Sequence, residues 1–268
     1  MSNNVILFPQ YEELNNEIIK LKENLCDLLS ERDELTFVQC KNIEAKYMVV
    51  LGTLEIALFK IECKVLRAKR KLSMIQQKIN RKETVNENDL DKLLDDEFEK
   101  YQQQLDEQIQ KLNYAISYAK SEFLTDEEAK ELKRIYYKVV KCLHPDLNPD
   151  LTSNEVELFY RAVAAYDAGD IDTMRIIETT LINDVTSEST KDTIKGLLAE
   201  RDFLLKMVKK VEAQITEIKN SFPYNAIEIL EDESRLTEKK SEYEALIEQN
   251  TELYKNYKDK INELLRSR

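Results

Sequence analysis

Between Pro9 and Pro145 the chain carries no other proline and a single glycine, Gly52. Few features bear harder on the fold. Hairpins and tight loops draw on Gly and Pro at fixed turn positions, whereas a helix interior excludes proline and is weakened by glycine. The whole 268-residue chain has three Gly and four Pro, with 42% hydrophobic and 34% charged residues, so it can bury long apolar stripes but has little turn chemistry for strands. The expectation is an all-α fold of long antiparallel, coiled-coil-like helical hairpins flanking a small helical domain.

The stripes support this. Tyr11, Leu14, Ile18, Leu21, Leu25 and Leu28 alternate steps of three and four, a seam that must bury against another helix. The pattern resumes from Ile43 through Tyr47, Val50, Leu54 and Leu58 to Ile79, breaks at the polar segment 81–89, and returns from Leu90 to Ala119. Two further stripes, from Ile194 to Ile218 and from Leu236 to Leu264, flank a corner at Pro223 and predict an αα-hairpin. The expected division is a long-helix region over 1–120, a small domain over 121–184, and a C-terminal hairpin over 185–268. Such seams close equally well within one chain or between two copies, so a homodimer stands beside intramolecular pairing.

Charge and cysteine usage exclude several function classes. A formal net charge of −12 opposes general affinity for nucleic acid or an anionic membrane. Cys26, Cys40, Cys63 and Cys142 form no CxxC pair, and His144 is the only histidine, so neither a zinc set nor another metal site is expected. No glycine-rich phosphate loop implies a cofactor. Residues 1–11 have no cationic start and only a short apolar run, unlike a signal peptide, and no stretch approaches the ~20 apolar residues of a membrane span. A soluble cytoplasmic protein is the expectation.

The middle segment departs from the long stripes. Thr125 followed by Glu128 has the form of a capping box and starts a helix whose buried face is Leu132, Ile135, Tyr136, Val139 and Leu143. Lys130, Arg134, Lys138 and Lys141 recur at steps of four, four and three on the opposite side, a cationic stripe in an acidic chain. Pro145 disfavours helical geometry at His144 and ends the helix there. Asp146, Asn148 and Pro149 then make a stiff loop expected to be exposed, with the imidazole at its corner. Thr152 and Glu155 repeat the capping-box pattern, and Val156, Phe159, Val163 and Tyr166 mark a second helix expected to pack antiparallel to the first. Gly169 ends it, and Asp170 caps a third helix over about 171–182. General acid–base work by His144 would need a pocket and an orienting partner; none accompanies it, so an enzyme is not expected.

The run YYKVVKCLHPDLNP, followed by LFYRAVAAYDAGD, resembles the second helix, HPD loop and third helix of a J domain, the module of DnaJ co-chaperones. The signature tripeptide stands intact as His144, Pro145 and Asp146, with Tyr136, Lys138, Asn148 and Pro149 matching flanking positions. The resemblance implies docking on a DnaK-type ATPase chaperone and stimulation of its ATP hydrolysis. Lys130, Arg134, Lys138 and Lys141 would then meet an acidic surface, with the tripeptide and Asn148 forming the trigger. The helical arms would bind a client or another partner. The family's first helix is missing here, and the tail of the preceding long helix, 116–123, is expected to replace it. Cys142 stands where the family often has a basic residue, and neither a Gly/Phe-rich linker nor zinc-binding repeats follow. The alternative is a scaffolding coiled-coil protein whose J-like domain stimulates no ATPase.

Overall fold

A computed structural model of the chain describes residues 9–120, 124–183 and 194–266. All regular elements among them are helical, as composition and stripes predict. Helices α1 (Pro9–Glu34), α2 (Cys40–Tyr47) and α3 (Thr53–Asn80) form one unbroken helical run, joined by π-helical turns at Leu35–Gln39 and Met48–Gly52. Then follow α4 (Glu87–Lys120), α5 (Asp126–Leu143), α6 (Ser153–Ala168), α7 (Ile171–Asn183), α8 (Ile194–Asn220), a short α9 (Ile227–Glu231) and α10 (Glu233–Arg266).

Contacts group the chain into two compact units, 1–42 with 122–225 and 43–121 with 226–268, which differs from the three consecutive segments expected. The physical reason is that an apolar seam specifies burial but not its partner. In the first unit α1 packs along α8, and the pairs Lys22–Glu200 (2.8 Å) and Glu31–Lys219 (2.7 Å) show that the two helices run parallel. In the second unit α3 lies along α10, also in parallel, because Glu55 meets Tyr243 while Leu72 and Ile75 meet the region of Tyr257 and Ile261. Where a hairpin over 185–268 was expected, α8 takes its partner α1 within the first unit and α10 its partner α3 within the second. An antiparallel hairpin does form between α3 and α4, joined by Arg67–Asp95 (2.8 Å) and Lys71–Asp91 (2.9 Å).

The small helices of the first unit follow their local signals closely. Both capping boxes are made: Thr125 accepts from the Glu128 N–H and Thr152 from the Glu155 N–H, while each glutamate takes the threonine N–H in return. Such caps are typically worth ~1 kcal/mol each. Gly169 adopts φ 68°, the left-handed conformation that ends α6 at no steric cost to glycine. The α5 and α6 helices are antiparallel, since Tyr136 stacks on Tyr166 with centroids 4.0 Å apart and His144 meets Phe159 at 5.0 Å. Leu132, Ile135, Val139 and Leu143 enter one core with Phe159, Ala162, Met174 and the α1 residues Leu25 and Leu29.

The expected stand-in for a first helix was the tail of α4, residues 116–123; within the first unit it is α1 that packs on α5. Within the second unit α4 packs on α3 and on the second π-helical turn. Residues 121–123 of that expectation, the N-terminal residues 1–8 and the boundary at 184–185 lie outside the described residues.

Candidate functional site

The corner at the end of α5 is built by backbone groups that the proline leaves available. His144 is the last cap of the helix, with φ −70° and ψ 125°, and its N–H still donates to Val140 O (3.1 Å). Its carbonyl accepts from the N–H groups of Leu147 (3.0 Å) and Asn148 (2.9 Å), closing the turn over Pro145 and Asp146. The Asn148 side-chain amide donates to Lys141 O (3.1 Å), satisfying one of the carbonyls that a helix end leaves orphaned. Leu147 is buried in the core and pins the loop from within.

The imidazole is not exposed. His144 retains only 6% of its surface, with its ring edge against Phe159, while Pro145, Asp146 and Asn148 are half-buried. The expected exposed corner is thus corrected for the histidine: the helix stop fixes its backbone, but Phe159 and the core take its ring. Nδ1 accepts the Asp146 N–H at 3.1 Å, which leaves the proton of the neutral ring on Nε2. Burial pushes the imidazole pKa down; the Asp146 carboxylate opposes this, Arg32 reinforces it, and Asp33 opposes it. A ring that is neutral, buried and already engaged through Nδ1 orders the loop and is poorly placed to act as a base.

On α5, Lys130, Arg134, Lys138 and Lys141 are all exposed, as their spacing predicts. Their neighbours were not legible from that spacing. Glu178 of α7 receives Arg134 (2.7 and 3.1 Å) and also Lys138, and these two cations hold its carboxyl at about 2. Beside them Arg175 pairs with Glu131 at 2.7 Å. Along the other edge of α5, Lys133 pairs with Glu34 and the Tyr137 hydroxyl donates to Asp27 (2.8 Å), both acceptors on α1. Among the described residues, Lys130 and Lys141 have no carboxylate within ion-pair reach.

Asp33 is the main residue that sequence reasoning missed. It keeps 3% of its surface, receives Arg32 on Oδ1 (2.8 and 2.5 Å), and accepts the Tyr136 hydroxyl on Oδ2 at 2.7 Å. Burial first, then Asp33, raises the Tyr136 phenol far above its usual range. A signal was present, because Asp33 continues the four-residue steps of Leu25 and Leu29 on the buried face of α1. A cleft of about 210 Å³ lies between α1 and the loop, bordered by Ile19, Cys26, Tyr137, Lys141, Leu147 and Asn148. No cluster of metal-ligating side chains occurs among the described residues, nor does any described helix reach the length and apolarity needed to cross a membrane. No family model, curated protein or solved structure matches the chain.

Proposed function

We propose that this chain is a J-domain-like co-chaperone that recruits a DnaK-type ATPase and stimulates its ATP hydrolysis, its long helices serving as adaptors for a client or partner. One observation carries the reading. The His144-Pro145-Asp146 tripeptide occupies an ordered corner between antiparallel α5 and α6, directly below a solvent-facing row of Lys130, Arg134, Lys138 and Lys141. An ordered loop loses little entropy when it docks, and a cationic face favours encounter with an acidic one. In this reading the half-buried Asp146 carboxylate and Asn148 make the contact, and the buried His144 ring holds the loop in shape.

A scaffolding role without ATPase stimulation is favoured by two observations, the burial of His144 and the Glu178 carboxylate that occupies two of the four stripe cations. Steady-state ATP turnover by a DnaK-type chaperone separates the readings. Wild-type chain is expected to raise turnover several-fold, and Asp146→Asn and His144→Gln to abolish the increase. No stimulation by the wild-type chain overturns the co-chaperone reading and leaves the scaffold.

A further inference from the structure

The second unit leaves one apolar seam uncovered. On α8 the stripe of Leu197, Leu204, Val208, Val211 and Ile215 is buried along the helix. Over α4, which is longer, burial is confined to Leu90, Leu94, Leu105 and Ala115. Between them Tyr101 and Ile109 remain 39% and 37% exposed, with Tyr101 on the wall of a cleft toward α3. This cleft of about 360 Å³ lies between α3 and α4, bordered by the largely cationic wall of Lys60, Cys63, Lys64 and Arg67 on α3 and by Phe98, Tyr101 and Leu105 beside Glu99 on α4. The apolar wall belongs to α4 alone, because Ala68, Leu72 and Ile75 of α3 pack with Ile261 of α10.

We propose that a second copy of this chain closes the seam, with a two-fold axis running along the cleft. The charges select both occupant and geometry. Helix α3 carries seven cations against two acids, and α4 nine acids against four cations. Near its N-terminal end α4 already pairs with α3 through Arg67–Asp95, Lys71–Asp91 and Arg70–Glu97. One turn beyond Arg67, Lys64 is exposed and reaches no carboxylate among the described residues, as is Lys60 one turn further. One turn beyond Asp95, Glu99 is exposed and accepts only a long bond from Gln103 (3.4 Å). An axis along the cleft lays α3 of each copy over α4 of the other at equal height, so Lys64 of one copy meets Glu99 of the second copy, twice. An axis across the cleft would set α3 on α3, cation against cation. The apolar middle of α4 then gains the burial that α8 finds in α1.

Sedimentation equilibrium on the full chain, from about 1 to 100 µM, tests this over the range of a moderate-affinity dimer. The wild-type chain should reach twice the 31.5 kDa chain mass. Tyr101→Glu should hold it at the single-chain mass with unchanged helical circular dichroism. Reversing one exposed pair at both symmetric sites, by Lys64→Glu or Glu99→Lys, should weaken association about tenfold. The double variant Lys64→Glu with Glu99→Lys should return to within about twofold of wild type, because the reciprocal pairs are remade. A wild-type chain that stays monomeric, including one that instead retains a different protein, overturns the proposal. So does a dimer indifferent to Tyr101→Glu, or one that the double variant does not restore.

Discussion

Tyr136 and Tyr137 are adjacent, both phenols donate to an aspartate on α1, and their removal should differ by more than tenfold in effect. Tyr136→Phe keeps the ring, its stack on Tyr166 and its volume, and deletes only the hydroxyl that Asp33 Oδ2 accepts at 2.7 Å. Asp33 retains Arg32 on its other oxygen, but Oδ2 is left without its phenol at a residue 3% exposed. Hydrogen bonds to charged groups contribute roughly 1.5–3 kcal/mol net, so the expected cost is about 2 kcal/mol. Tyr137→Phe deletes a bond to Asp27 at an exposed edge, where water replaces the lost donor, and should cost under about 0.5 kcal/mol. Hydrogen exchange of the α1 and α5 amides reads the difference locally: about 30-fold less protection for Tyr136→Phe, and under about threefold for Tyr137→Phe. Equal effects, or a Tyr136→Phe loss within threefold, would refute the buried Asp33 contact and with it the docking of α1 on α5.

His144 is the only histidine, so its imidazole gives a single set of ring resonances, and its titration midpoint should fall below the ordinary value of about 6.5. The sign follows from the depressed folded value: stability is full above about pH 6.5 and is lost as the pH falls toward the folded midpoint, because the unfolded chain takes up the proton first. A midpoint at or above 6.5, or an acid slope that survives His144→Gln, would contradict the buried ring. At the end of α6, Gly169→Ala meets no clash, since the nearest atom to a new Cβ is Leu124 Cδ1 at 3.8 Å. The φ of 68° alone should cost about 1 kcal/mol, read as a lower urea midpoint at unchanged slope, and an unshifted midpoint would contradict the left-handed cap.

Local structure was legible wherever one residue type does one job. Thr125 with Glu128, Thr152 with Glu155, Pro145 and Gly169 each fix a backbone event within a turn of themselves, and each appears where the residues place it. Partner choice was not legible, because a three-four stripe encodes a buried face but neither the identity nor the direction of what covers it. That is why α8 and α10 read as a hairpin and instead lie parallel to α1 and α3. The π-helical turns had left a trace. Continuing the alternation from Leu28 leads to residue 42, yet the stripe resumes at Ile43. The steps from Val50 through Leu54 to Leu58 are four and four where three is due. One extra residue is what a single π turn inserts, and the two turns fall at 35–39 and 48–52. The burial of His144 left no such trace, since Phe159 and Leu147 decide it from positions that the spacing around the histidine does not relate to it.

The same limit applies to the cationic stripe, whose sequence spacing overstates its field. Arg134 and Lys138 share the single carboxylate of Glu178, so the middle of α5 presents less charge than its two residues imply. Lys130 and Lys141, which have no carboxylate in reach among the described residues, are eleven positions apart, or about 16 Å along the helix. That is roughly twice the ~8 Å screening length at physiological salt, so the two ends act as separate local charges there rather than as one continuous rail. Lys141 alone stands beside the loop, where Asn148 holds its carbonyl and the α1 cleft begins. In the docking proposed above, the attraction at the tripeptide therefore comes chiefly from Lys141 and the uncompensated share of Lys138. A partner is then oriented by contacts at the corner itself, with Lys130 adding little beyond a second point of charge.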